Sequence, residues 1–123
     1  MILVDTSVWI DHLRSGEPTL QALLEQNRVT THPFVIGEIS LGSLRQRDVV
    51  LDALNDLPHA TVAMDSEVFR MIGDQMLHGL GIGYVDAHLL AAVRLTPGSR
   101  LWTRDRRLNA VAERLGVAAQ VLH

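Results

Sequence analysis

The chain has 123 residues, 47% of them apolar and 20% charged, and a formal charge of −3. That length suits one domain, residues 1–123, able to bury a core without staples; the apolar fraction argues against a disordered chain, and the acidic balance against a general nucleic-acid binder. Cysteine is absent, which excludes disulfides, thiol nucleophiles and thiolate metal sites.

All eleven basic residues are arginines. Four of them, Arg100, Arg104, Arg106 and Arg107, lie within eight positions and surround Asp105. Guanidinium forks match phosphate geometry, so local phosphate contact is compatible with the acidic total; a solvated arginine cluster is the plainer alternative. Met1 leads straight into an apolar run, with no charged segment before a long apolar one, and no apolar stretch approaches the roughly 20 residues of a membrane span. A soluble, cytoplasmic protein without membrane contact is expected.

Strand and helix alternate along the chain. Residues 2–4 read as a short buried strand. Residues 6–14 read as a helix stopped at Ser15-Gly16. A second helix spans 18–27, with Leu20, Leu23 and Leu24 at core spacing. Residues 28–31 are strand-like. Pro33 suits the first turn of a helix reaching about residue 43, and 48–57 is amphipathic. Residues 60–63 form another short strand, and Asp65 or Ser66 can cap a helix running to about residue 78. A flexible break, Gly79-Leu80-Gly81-Ile82-Gly83, precedes a helix over 84–95. A strand at 101–103, a helix at 105–115 and a last strand at 119–122 complete the chain. This alternation predicts an α/β fold: three layers, α/β/α, around a mostly parallel sheet of about five short strands. Ligands of such sheets bind beyond the carboxyl ends of the strands.

Four acids fall where separate segments could aim them at one point, Asp5, Glu38, Asp86 and Asp105, and Asp5 and Asp105 sit at two such strand ends. Each has a plainer reading. Asp5 and Asp105 are natural helix N-caps. Glu38 shares a helix face with Phe34 and Leu41 and is explained equally by a salt bridge. Asp86 is a favourable first-turn acid, although it lies in line with Leu89, Leu90 and Val93 on the expected buried face. Together they suggest more. Carboxylates gathered at one point repel one another and need a cation between them, and all-oxygen ligands suit Mg²⁺ or Mn²⁺.

These residues resemble the motifs of PIN-domain ribonucleases. Ile-Leu-Val-Asp-Thr-Ser (2–7) is similar to the first motif, Pro-Phe-Val-Ile-Gly-Glu-Ile (33–39) to the second, Tyr-Val-Asp-Ala-His-Leu-Leu-Ala-Ala (84–92) to the third and Leu-Trp-Thr-Arg-Asp-Arg-Arg-Leu (101–108) to the fourth. Their order and the chain length resemble the single-domain toxins of the VapBC toxin–antitoxin type. The resemblance implies an endoribonuclease dependent on Mg²⁺, or on Mn²⁺. It implies metal-binding roles for Asp5, Asp86 and Asp105, with Glu38 binding directly or through water. Ser7 and Thr103 match polar positions beside the site. A small VapB-like antitoxin whose C-terminal segment lies across the site, an RNA substrate and a homodimer are implied as well. Trp9 or Leu13 of the first helix is a candidate antitoxin contact, with ordinary core burial as the alternative. His88 reads as structural. Arg104, Arg106 and Arg107 as phosphate contacts follow from their position beside Asp105, not from the resemblance.

The expected chemistry is hydrolysis of an RNA phosphodiester by water at a divalent ion. A phospho-accepting receiver domain and a Walker-type nucleotide binder both require a lysine. A phosphatase with an aspartyl nucleophile usually carries a second acid two residues on, where this chain has Ser7; and Ser7 lacks a recognisable base. The remaining rivals are a non-catalytic RNA- or protein-binding module and a structure-specific DNA nuclease, the latter usually a larger protein.

Overall fold

Ile2, Leu3 and Val4 make up β1 (Ile2–Val4), and all three are buried. Successive strand residues point to opposite faces, so burial of all three requires cover on both sides of the sheet. The computed structural model describes residues 1–121. Beyond β1 it has α1 (Thr6–Ser15), α2 (Pro18–Glu25), β2 (Val29–Thr30), α3 (Pro33–Ser40), α4 (Arg47–Asp56), α5 (Asp65–Asp74), α6 (Tyr84–Leu95), β3 (Arg100–Trp102) and α7 (Arg106–Arg114).

The sheet has the order β2-β1-β3 with both pairs parallel. This is where the structure departs from the expected sheet of about five strands. The segments at 60–63 and 119–122 were expected to be strands, and each is reduced to one parallel bridge: Thr31 with His59, and Leu101 with Ala118. The bonds at those bridges are well formed, Ala60 N–H to Thr31 O at 2.9 Å and Leu101 N–H to Val117 O at 2.7 Å. The chain leaves the ladder at once on either side, so the outer positions touch the sheet without extending it. Leu122 lies outside the described residues.

The helices follow their local signals. Pro18 and Pro33 occupy first-turn positions where their missing N–H is harmless. Glu17 caps α2 by accepting from Thr19 N–H at 3.2 Å, and His32 Nδ1 caps α3 by accepting from Phe34 N–H at 3.0 Å. α1 gives way at Gly16, whose φ of +77° a side chain would resist. α6 is buried continuously from Ala87 to Val93, as befits a helix covered all round rather than on one stripe. Leu3, Leu20, Leu89, Leu90, Leu101 and Leu108 are fully buried and belong to one apolar cluster.

Candidate active site

The parallel register sets Val4 beside Trp102, and one further ladder bond, Asp5 N–H to Trp102 O at 2.9 Å, carries the pairing to the strand ends. Asp5 and Thr103 therefore emerge together. Thr103 is buried and donates its hydroxyl to Asp5 Oδ2 at 2.8 Å; Ser7 donates to the same oxygen at 2.7 Å. Asp5 stands at the N-cap of α1, yet its carboxylate caps nothing. The plainer reading of Asp5 thus fails on geometry: two hydroxyls hold one oxygen, and Oδ1 accepts no hydrogen bond among the described residues.

Asp105 does cap its helix. Oδ1 accepts from Arg107 N–H at 2.9 Å and Leu108 N–H at 3.1 Å, while its own N–H donates to Thr103 Oγ1 at 3.1 Å. Asp86 also has a local role, since Oδ2 accepts from Gly83 N–H at 3.0 Å and closes the first turn of α6. Each of the two keeps its other oxygen clear of protein donors among the described residues. Burial pushes the Asp86 carboxyl above its ordinary value, the Gly83 N–H pulls it back, and the negative charges of Asp5 and Asp105 push it up again.

Glu38 lies differently. Its face of α3 was expected to be partly buried, but Phe34 and Leu41 are exposed and the core stripe is Val35 and Ile39, one position round the helix. Glu38 Oε1 accepts from Thr6 Oγ1 at 2.8 Å, which ties it to the residue next to Asp5. Thr6 had no role in the sequence reading beyond its place in the first motif. A hydroxyl following the strand-end acid was the available signal.

No three ligating side chains among the described residues close into a ready-made metal cage. The donor set nevertheless suits a hard divalent ion. It consists of oxygens only, one oxygen of each aspartate is already oriented by the protein, and the burial and like charges that together raise Asp86 are what a cation would offset.

The arginines divide. Arg104 is engaged away from the acids: Nη1 bonds Asp11 and Nη2 bonds Glu17, with the guanidinium 6.0 Å from the centre of the Trp102 ring. A phosphate would have to displace two carboxylates. Arg107 crosses the glycine loop, where a Cβ on Gly81 would come within 2.7 Å of its Nη1. Gly81 has φ of +78°, so glycine is suited to both the backbone and the close approach. Arg106 is exposed at the start of α7.

A groove with a volume of about 700 Å³ is lined by one of the four acids, Glu38, and by none of the three aspartates. Ile10 and Leu13 of α1, 45% and 38% exposed, line it with Leu44 and Val50, and Arg14 and Arg45 line it as well. Trp9 is only 4% exposed and packs in the core, so the burial alternative holds for it, while Leu13 faces the groove.

His88 is buried and bonds Asp65 at 3.0 Å; Tyr84 donates to the same carboxylate oxygen at 2.5 Å. Its ring packs against those of Phe34 and Tyr84. That is the structural role expected of His88. Asp65 or Ser66 was expected to cap α5; Met64 stands at the N-cap instead, with its N–H donating to Glu67 Oε1 at 2.9 Å, and Asp65 receives these two donors.

A model of the PIN domain matches residues 2–114, a span that includes all four acids. Ribonuclease VapC32 of Mycobacterium tuberculosis, from strain CDC 1551 / Oshkosh and from strain ATCC 25618 / H37Rv, is 52% identical over 118 residues, covering 96% of this chain and 95% of that protein. No helix among the described residues is long and apolar enough to cross a membrane. With a parallel α/β sheet that delivers Asp5 beside Thr103 and Asp105, and with relatives of VapC type, the chain belongs to the PIN-domain family.

Proposed function

We propose that this chain is the toxin of a type II toxin–antitoxin pair, an endoribonuclease that hydrolyses RNA phosphodiester bonds and requires Mg²⁺ or Mn²⁺. What supports the reading is that Asp5 and Asp105 are linked through the Thr103 hydroxyl at neighbouring strand ends and that the negative charge of both acts on Asp86. The ribonuclease name of the relatives points the same way.

Asp5, Asp86 and Asp105 are the residues to hold the ion, and Glu38, joined to Asp5 through Thr6, assists. When bound, a divalent ion supplies an activated water and neutralises charge developing on the phosphate. The chain's own contribution is orientation. Ser7 and Thr103 fix one oxygen of Asp5, Gly83 fixes one of Asp86, and the first turn of α7 fixes one of Asp105. Arg106 and Arg107, exposed beside these acids, contact phosphates of the RNA. Arg104 is not assigned that role, because its fork is already filled.

A VapB-like antitoxin is the partner, and the groove beside Glu38 is its seat. Ile10 and Leu13 offer apolar contact there, and the arginines that line it suit an acidic segment. A homodimer is the expected assembly, and the exposed rings of Phe34, Phe69 and Tyr84 suit such a surface. The non-catalytic binding module is disfavoured physically: a protein that only binds gains nothing from aspartates that repel one another.

The test is cleavage of total cellular RNA by folded, antitoxin-free protein with Mg²⁺ or Mn²⁺, and again with EDTA. A few discrete cuts that vanish with EDTA are expected. No cutting under any condition returns the binding module.

A further inference from the structure

We propose that Arg104 is a positioning residue: its guanidinium, held between Asp11 and Glu17, locks the turn at residues 103–105 so that Thr103 and Asp105 stand in fixed relation to Asp5. The inference rests on the nuclease reading of those aspartates and adds a residue that touches none of them.

The turn joins β3 to α7 and carries two groups of the site. From inside it is held by small hydroxyls. Arg104 N–H donates to Ser7 Oγ at 3.0 Å, Thr103 Oγ1 donates to Asp5 Oδ2 at 2.8 Å, and Asp105 N–H donates to Thr103 Oγ1 at 3.1 Å. From outside it is held by the Arg104 side chain. Its two terminal nitrogens reach different elements, Asp11 in α1 and Glu17 at the cap of α2. Both anchors are themselves placed. Asp11 lies on the helix that Asp5 opens, and Glu17 uses its second oxygen on Thr19 N–H at 3.2 Å and its own N–H on His12 Nδ1 at 3.0 Å. Side-chain exposures of 27% for Arg104 and 19% for Glu17 put that pair above the weak class of surface ion pairs.

The result is a closed loop of contacts. Asp5 connects through Ser7 to the backbone of Arg104, and through α1 to Asp11 and the Arg104 side chain. Within this loop Arg104 with its two carboxylates carries a net charge of −1, which repels a phosphate. Support of this kind around site ligands has measurable worth, commonly about tenfold or more in metal affinity or activity.

Asp11→Asn, Glu17→Gln, Arg104→Ala and Arg104→Lys separate positioning from phosphate binding. Steady-state kinetics on a short RNA should show Asp11→Asn, Glu17→Gln and Arg104→Ala each lowering kcat about tenfold with KM within about twofold of the parent, and Arg104→Lys recovering part of the loss. Titration with Mn²⁺, which needs no turnover, should show weaker binding in the same three variants. A raised KM with unchanged kcat for Arg104→Ala, together with unchanged kcat in Asp11→Asn and Glu17→Gln, would overturn the proposal in favour of a phosphate contact. Asp11 is 45% exposed, so its variant folds even where Arg104→Ala does not. Parent protein that fails to cut RNA defeats the nuclease reading instead; the Mn²⁺ titration then still decides, since equal affinity in parent and variants overturns the positioning role.

Discussion

Replacing Asp86 by Asn should stabilise the metal-free protein while destroying its activity. Asn keeps the size of the side chain and an oxygen to accept from Gly83 N–H, which now lies 3.0 Å from Oδ2. What it removes is the charge. An acid in the first turn of α6 gains roughly 0.3–1 kcal/mol from the helix dipole, and that is lost. Against this stand the two like charges of Asp5 and Asp105, which with burial hold the Asp86 carboxyl above its ordinary value. Between partly buried carboxylates each such like charge contributes on the order of 1 kcal/mol, and salt reduces it. Relief from two such neighbours exceeds the dipole loss, leaving a net gain of about 0.5–1 kcal/mol, or roughly 2–4 °C in Tm for a domain of this size. The assay is thermal unfolding in EDTA and again in Mg²⁺. An ion at ten times its Kd stabilises the parent by about 1.4 kcal/mol, and the variant should lose most of that response. RNA cleavage should fall by about 100-fold or more, near 2.7 kcal/mol of transition-state stabilisation. A variant that melts below the parent in EDTA would refute the repulsion argument and leave Asp86 a helix-capping acid; full cleavage would refute its place in the chemistry.

His32 is fully buried with a pKa lowered to about 4 by desolvation, then by His88 and His59. The unfolded chain therefore binds more protons between about pH 6.5 and 4, so stability present above 6.5 is lost as pH falls through that window. The loss is about 3 kcal/mol at most, measured by urea unfolding. His32→Asn keeps a cap acceptor for Phe34 N–H and should flatten the slope; an unchanged slope would put the titration elsewhere. Thr103→Val removes the hydroxyl that serves both Asp5 and Asp105. It should cost about 1–3 kcal/mol of stability and about tenfold in cleavage rate, and a urea midpoint equal to the parent's would contradict this. Arg107→Ala should leave stability within about 0.5 kcal/mol. It should also reduce the slope of log affinity for RNA against log salt by about 1, and an unaltered slope would remove Arg107 from the interface.

Much of this could be read along the chain because the signals are local. Pro18 and Pro33 at helix starts, Gly16 and Gly116 at helix ends, and the run Ile2-Leu3-Val4 act through their own backbone preferences and their nearest neighbours. Asp5, Asp86 and Asp105 could be placed at strand ends and helix starts because such junctions are themselves legible, and ligands of open sheets gather there; Glu38, inside α3, had no such signal. The number of strands was not legible. Residues 59 and 118 pair at single bridges, and whether an apolar run continues as a strand depends on the partner edge it meets, which is a property of the assembled sheet. The face of α3 that carries Glu38 was misjudged for the same reason: Phe34 and Leu41 are apolar, yet the packing buries Val35 and Ile39. Arg104 shows the limit most plainly. Its neighbours in sequence suggested a phosphate contact, but Asp11 and Glu17, 93 and 87 positions away, claim its side chain. Side-chain electrostatics act through space, and only the fold decides which charges meet.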